Sequence, residues 1–284
     1  MPESDGRITV LVENTAGASG LLGEHGLALW IEIAGKRILF DTGQGNVLAP
    51  NARRLGIRLE TADAIVLSHG HYDHTGGLSD ALHAGRRPAV YAHPAAFEPK
   101  YARNADRSAR DVGISTLNAQ AVRDQAEWVR VEEPTEICGG LTLTGPIPRT
   151  TDFEDTGGAF FTDAECTEPD MMPDDQAAFV QTPDGTVVIL GCAHAGVINT
   201  VRHVQTLTDG RAIHTVIGGM HLVNAGPDRL DKTVAALRRL DIQRLLPCHC
   251  TGFAAMARLR HEFPNRCAAC PVGTVVEINE HQVP

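Results

Sequence analysis

Four short apolar runs in this chain each lead into a histidine-bearing loop. Ala64-Ile-Val-Leu67 stops at Ser68-His69, and Thr186-Val-Val-Ile-Leu190 leads to His194. Residues 213–217 lead through Gly218-Gly-Met220 to His221, and a run near 243–247 ends at Cys248-His249. Runs of this length, rich in β-branched residues and bounded by glycine, read as strands. In layered α/β proteins the loops after the carboxyl ends of strands converge on one edge, where ligands gather. Four such coincidences are hard to reconcile with core packing. They restrict the chain to a fold that collects four strand ends at one place.

The rest of the chain supplies the layers. Residues 7–12, 27–33, 36–40, 89–92, 141–144, 177–181 and 272–278 read as further strands, and 46–56 and 197–208 as helices. Another helix begins after Pro227, with Asp228 expected as its N-cap; Leu230, Val234 and Leu237 mark its apolar face and Leu240 widens it. The polar stretch 98–130, rich in Arg, Asp, Ala and Gln, is expected to form a helical excursion or lid. Strands alternating with helices indicate an α/β architecture. At 284 residues and 43% hydrophobic content, a single domain over 1–284 has enough apolar material for a filled core.

A net charge of −10 argues against nucleic acid as a partner. There is no apolar run of about 18 residues, hence no expected membrane span. Met1-Pro-Glu-Ser-Asp-Gly6 lacks the basic and apolar regions of a signal peptide, so a cytoplasmic location is expected. The seven cysteines, an odd number, read as free thiols in a reducing compartment. Cys267-Ala-Ala-Cys270 and the pair Cys248 and Cys250 leave open a structural zinc site, but neither Cys267 nor Cys270 is expected in a catalytic cluster.

His69, His71, Asp73 and His74 fall within six residues, with Gly70 giving the backbone freedom to aim them at one region. Imidazole and carboxylate ligands together suit zinc, iron, cobalt or manganese. Four ligands in six residues are too many for one open catalytic ion and natural for two.

Ser68-His-Gly-His-Tyr-Asp-His-Thr-Gly-Gly77 resembles the HxHxDH signature of the metallo-β-lactamase superfamily. Further stretches occur in order: Glu24-His-Gly-Leu-Ala-Leu29, Phe40-Asp-Thr-Gly-Gln-Gly45, Gly191-Cys-Ala-His-Ala-Gly-Val-Ile-Asn199, Gly218-Gly-Met-His-Leu222 and Pro247-Cys-His-Cys-Thr-Gly252. Together they resemble the branch named for 7,8-dihydropterin-6-methyl-4-(β-D-ribofuranosyl)aminobenzene-5′-phosphate synthase. The resemblance implies an αββα sandwich with two divalent transition-metal ions at its open edge, zinc first among them. It places His69 and His71 on one ion and Asp73 and His74 on the other. The sequence departs from the superfamily where a bridging aspartate usually follows a strand as Gly-Asp: here the strand ends in Gly191-Cys192. We therefore assign His194 to the first ion, doubt a carboxylate bridge, and assign His249 to the second ion. His221 is surplus, either a ligand or a proton donor.

Asp41 is either an orienting partner for a ligand histidine or an ordinary turn residue. Glu24 and His25, in an early loop, are expected near substrate, with Arg149, and Arg107 or Arg110, as phosphate clamps. His83, His93, His203, His214, His261 and His281 read as surface or core residues. The expected function is that of a dinuclear metalloenzyme acting on a phosphorylated small molecule, with Asp73 and His221 as catalytic groups. The alternatives are a metal-dependent hydrolase of a phosphoester, lactone or thioester, and a metal-binding redox or sensory protein.

Overall fold

A computed structural model describes residues 6–82, 87–138 and 140–278; His83 and His281 lie outside these. The first half runs β1 (Gly6–Val12), β2 (Ala28–Ile33), β3 (Lys36–Phe40), α1 (Leu48–Arg54), β4 (Ala64–Val66), α2 (Tyr72–Thr75), α3 (Leu78–Leu82) and β5 (Ala89–Ala92). Then come β6 (Tyr101–Arg103), β7 (Ala109–Asp111), α4 (Thr116–Gln125), β8 (Glu127–Arg130), β9 (Thr135–Cys138), β10 (Leu141–Leu143) and β11 (Phe160–Phe161). The remainder is β12 (Ala178–Thr182), β13 (Gly185–Ile189), α5 (Val197–Leu207), β14 (Ile213–Gly219), α6 (Pro227–Arg239), β15 (Arg244–Cys248), α7 (Phe253–Glu262) and β16 (Val275–Glu277).

Two large sheets form, ordered β16-β1-β2-β3-β4-β5-β8 and β15-β14-β13-β12-β10-β9. The period-two alternation of apolar residues dictates how they stack. Ile8, Val10, Leu29, Ile31, Ile38 and Phe40 of the first sheet share one buried cluster with Leu141, Leu143, Val180, Val187 and Ile189 of the second. Their neighbours Leu11, Trp30, Leu39 and Ile65 face the other way, clustering with Leu48, Leu78 and Val122 of α1, α3 and α4. Val188, Val216 and Leu245 of the second sheet cluster with Val201, Leu237 and Leu259 of α5, α6 and α7. The layers are therefore helix, sheet, sheet, helix: the expected αββα sandwich. β3, β4, β5 and β8 run parallel, as do β13, β14 and β15, so their carboxyl ends line up within each sheet.

The stretch 98–130 is helical only over α4, which Ser115 caps through its side chain. β6 and β7 form a hairpin, closed by the Asn104 amide donating to the Ser108 carbonyl at 2.9 Å, and with β11 make a three-stranded sheet; β8 joins the first large sheet. Asp228 is not the cap of α6 either. Gly226 occupies that position and Pro227 opens the helix, its fixed φ suiting the first turn. Asp228 lies in that turn and Arg238 and Arg239 in the last, where each charge opposes the helix dipole favourably. Among the described residues, no helix is long and apolar enough to cross a membrane.

Candidate metal centre

After β4 the chain continues irregularly to His71, which stands at the N-cap of α2 and puts Asp73 and His74 on its single turn. Gly70 lets this loop lie against the next one: a Cβ there would stand 2.2 Å from the Ala96 carbonyl oxygen. The Gly70 amide donates to Asp174 Oδ2 at 2.8 Å, and Asp174 Oδ1 accepts from Lys100 Nζ at 2.9 Å. Lys100 is buried and also donates to Asp170 at 3.0 Å. The metal-motif loop is thus tied to the chain just before β6 through a buried ion triad.

His194, His221 and His249 arrive from the ends of β13, β14 and β15. Each of these turns holds a strained residue: Ala193, His221 and His249 have φ of 54, 42 and 48°, and Asp41 after β3 has 59°, in the left-handed region that non-glycine residues rarely occupy. His221 also needs Gly157, where a Cβ would meet its ring at 1.9 Å.

Four ring nitrogens are held from behind. Ser68 Oγ lies 2.9 Å from His69 Nδ1, Asp41 Oδ2 2.7 Å from His74 Nδ1, the Thr156 carbonyl 2.8 Å from His194 Nδ1 and Asn14 Oδ1 2.8 Å from His249 Nδ1. Such partners fix the orientation of metal-binding imidazoles. Asp41 also accepts from the Ser68 amide and hydroxyl, both at 2.7 Å, so it organises two neighbouring histidines and is no ordinary turn residue.

The inward-facing atoms converge. One ligand atom each from His69, His71 and His194 lies within 4.8 Å of the others, and the same holds for His25, Asp73 and His249, for His69, His74 and Cys192, and for Cys192, His221 and Cys250. His249 Nε2 stands 3.3 Å from Asp73 Oδ2 and 3.3 Å from His74 Nε2. Burial holds His69 and His194 well below the ordinary imidazole range and takes His71 to about 3, so these three rings stay neutral, as ligands must be. Burial opposes charge on His74 too, but the Asp41 and Asp73 carboxylates outweigh it and raise the ring to about 9, so a cation held there would have to displace its Nε2 proton. Burial would raise Asp73, but His74 and the hydrogen bonds from His249 and His25 hold it well below the carboxylate range.

The donor set fits divalent cations. His71 Nε2 and His194 Nε2 are buried and have no hydrogen-bond partner among the described residues, a cost that ligation would remove. A cavity of about 360 Å³ opens over the cluster, lined by His71, Asp73, His194 and His249 and walled by Tyr72 and Arg110. Arg110 leans over the Tyr72 ring at 5.8 Å and is the only Lys or Arg among the described lining residues. A larger cleft of about 470 Å³, lined by Thr182, His214 and Arg244 among others, holds none of the ligand clusters.

Not every candidate comes to the cavity. Glu24 is taken up by the backbone amides of Gln44, Gly45 and Asn46 at 3.0, 3.2 and 3.0 Å, and it clamps their loop. Arg149 donates to the Met171 carbonyl at 3.0 Å, away from the lining. His25 does reach Asp73, at 3.1 Å. His93 Nδ1 accepts from the Ala95 amide at 3.1 Å, a local cap. Cys267 packs in the helix-side core and Cys270 between the sheets, and among the described residues neither joins a ligand cluster. The residues the sequence left unassigned are Cys192, which does join one, and Phe160, whose ring lies 4.8 Å from His71; Cys250, open in the sequence to a structural zinc site, clusters with Cys192 and His221 instead. The replacement of Gly-Asp by Gly191-Cys192 was the available signal for the first.

The chain belongs to the metallo-β-lactamase superfamily, whose family model matches residues 22–249. It is 34% identical, over 89% of its length and 93% of the relative's, to an uncharacterised protein of Methanocaldococcus jannaschii. It is 28% identical to the 7,8-dihydropterin-6-methyl-4-(β-D-ribofuranosyl)-aminobenzene-5′-phosphate synthase of the same organism, covering 95% of this chain and 96% of that one. Among solved structures, a metal-dependent hydrolase of the β-lactamase superfamily superposes with a TM-score of 0.82 at 31% identity, covering 97% of this chain and all (100%) of that one.

Proposed function

We propose that the chain is a dinuclear metal-dependent enzyme acting on a phosphorylated small molecule, in the manner of the synthase it resembles. His69, His71 and His194 would hold one cation, and Asp73, His74 and His249 the other. Two divalent cations there would supply Lewis acidity and positive charge against a diphosphate leaving group. Asp73, fixed by His25 and His249, would orient the nucleophile. His221, whose ring centroid lies 4.2 Å from that of His194, would move a proton at the cavity wall.

The observation that carries the phosphorylated substrate is Arg110, set in the cavity wall beside Tyr72. A chain of net charge −10 repels anions at long range, so an anionic substrate needs local cations at the site. Arg110→Ala should therefore raise KM for phosphorylated compounds by about 10- to 100-fold, the worth of one charged hydrogen bond, and leave dephosphorylated analogues nearly unaffected. A screen of phosphoesters, pterin diphosphates, lactones and thioesters with metal-loaded protein tests the class. The 31% identical hydrolase structure supports a second reading, in which water is the nucleophile. Turnover of a neutral lactone or thioester orders of magnitude faster than every phosphorylated compound would establish that reading instead.

A further inference from the structure

We infer that the Cys192 sulfur is a thiolate ligand shared between the two cation seats, in the place where the superfamily usually sets a carboxylate. This rests on the dinuclear reading above. The His74 Nδ1 position is occupied by Asp41, so its Nε2 faces inward, where it meets Cys192 Sγ at 3.1 Å, His249 Nε2 at 3.3 Å and Asp73 Oδ2 at 3.9 Å. Four potential ligand atoms converge on one point. The edges of a tetrahedron with bonds of 2.0–2.3 Å are roughly 3.3–3.7 Å, so the spacing is that of ligands around a small cation. The sulfur also lies within 4.8 Å of a His69 ring nitrogen. His69 belongs to the first seat and His74 to the second, so Cys192 is placed to touch both.

Cys192 is 2% exposed, at the end of β13, and Ala193 beside it holds φ at 54°. Ligation forms a metal–sulfur bond and releases the thiol proton to solvent. A shared thiolate makes the centre prefer thiophilic ions such as zinc, cobalt or iron over magnesium or manganese. Cys250 is the nearest rival. Its sulfur, however, accepts from the His221 amide at 3.3 Å and faces the Cys192 carbonyl at 3.7 Å, and among the described residues it joins no cluster with His69 or His74.

The test loads full-length protein with Co(II) and records metal content by elemental analysis beside the near-ultraviolet spectrum. Wild-type protein should hold two Co(II) per chain with a sulfur-to-cobalt charge-transfer band. Cys192→Ser should lose the band and bind its weaker cation at least 10-fold less tightly. Cys192→Asp should keep two ions without the band, and Cys250→Ser should keep both. Two cobalt ions in wild type without the band, or a band lost in Cys250→Ser and kept in Cys192→Ser, would overturn the shared thiolate and leave the dinuclear reading standing. Failure of wild type to load cobalt beyond a trace would overturn both. If Cys192→Ser does not fold, the wild-type and Cys250→Ser spectra still decide.

Discussion

Asp175 is a carboxyl group in a place that does not suit its charge. Its Oδ2 accepts from the Ala195 amide at 2.7 Å, its Oδ1 has no partner among the described residues, and burial pushes it up to about 7. The folded state therefore binds a proton that the unfolded chain releases near the ordinary value of about 3.9. Stability from this group is fully present below about pH 4 and is lost as pH rises through 7. The span is on the order of 4 kcal/mol. Asp175→Asn keeps the acceptor for Ala195 and removes the charge. Its melting temperature should overtake that of wild type between pH 5 and pH 8, and parallel pH profiles of the two proteins would contradict the assignment. Single residues of this kind were the least legible in the sequence. Arg110 and Arg149 read alike there, as arginines near glycine or serine. Only the hairpin geometry that carries Arg110 over Tyr72, and the carbonyl that occupies Arg149, separates them.

At the scale of elements, legibility followed apolar periodicity. β1 to β5, β12 to β15, α5 and α6 bury a continuous face and announce it. β6 and β7 are three residues each and largely exposed, so composition pointed to helix where the chain forms a hairpin. α7 buries only Ala255 and Leu259 and leaves Phe253 on the surface, too faint a stripe to read. The ion triad beside that hairpin has no sequence signature, because Lys100 and Asp174 are brought together only by the fold. Lys100→Met removes one member of a buried pair and leaves two carboxylates facing each other. The loss should be about 3–5 kcal/mol, read as a lower midpoint in denaturant melts. The same variant should loosen the Gly70 loop, seen as faster hydrogen exchange at its amide. A midpoint within error of wild type would show that the triad does not brace the site.

For the whole molecule, the edge carrying the site could be read from the strand ends, whereas the four-layer sandwich followed from the family resemblance. The alternation that sorts Ile8 from Leu11, or Val187 from Val188, is the same that stacks the sheets. What had no signature in the sequence was the set of groups that turn the rings, since Asp41, Thr156 and Asn14 reach His74, His194 and His249 from distant segments. His71→Ala and His74→Ala should each lower metal content from about two ions per chain towards one, because each removes a ligand from a different seat. Content unchanged in both, by elemental analysis, would refute that division.

The proposed ligands come from both halves of the sandwich: His69, His71, Asp73 and His74 follow β4 of the first sheet, whereas His194 and His249 follow β13 and β15 of the second. During synthesis the first four are complete well over a hundred residues before the last is made. A growing chain thus offers an incomplete grip, and neither proposed seat exists until the second sheet closes on the first. Acquisition of the ions and the final closure of the fold would then be one event, and an ion lost later would remove one tie between the sheets while leaving others, such as Asn14 with His249 and the Gly70 amide with Asp174.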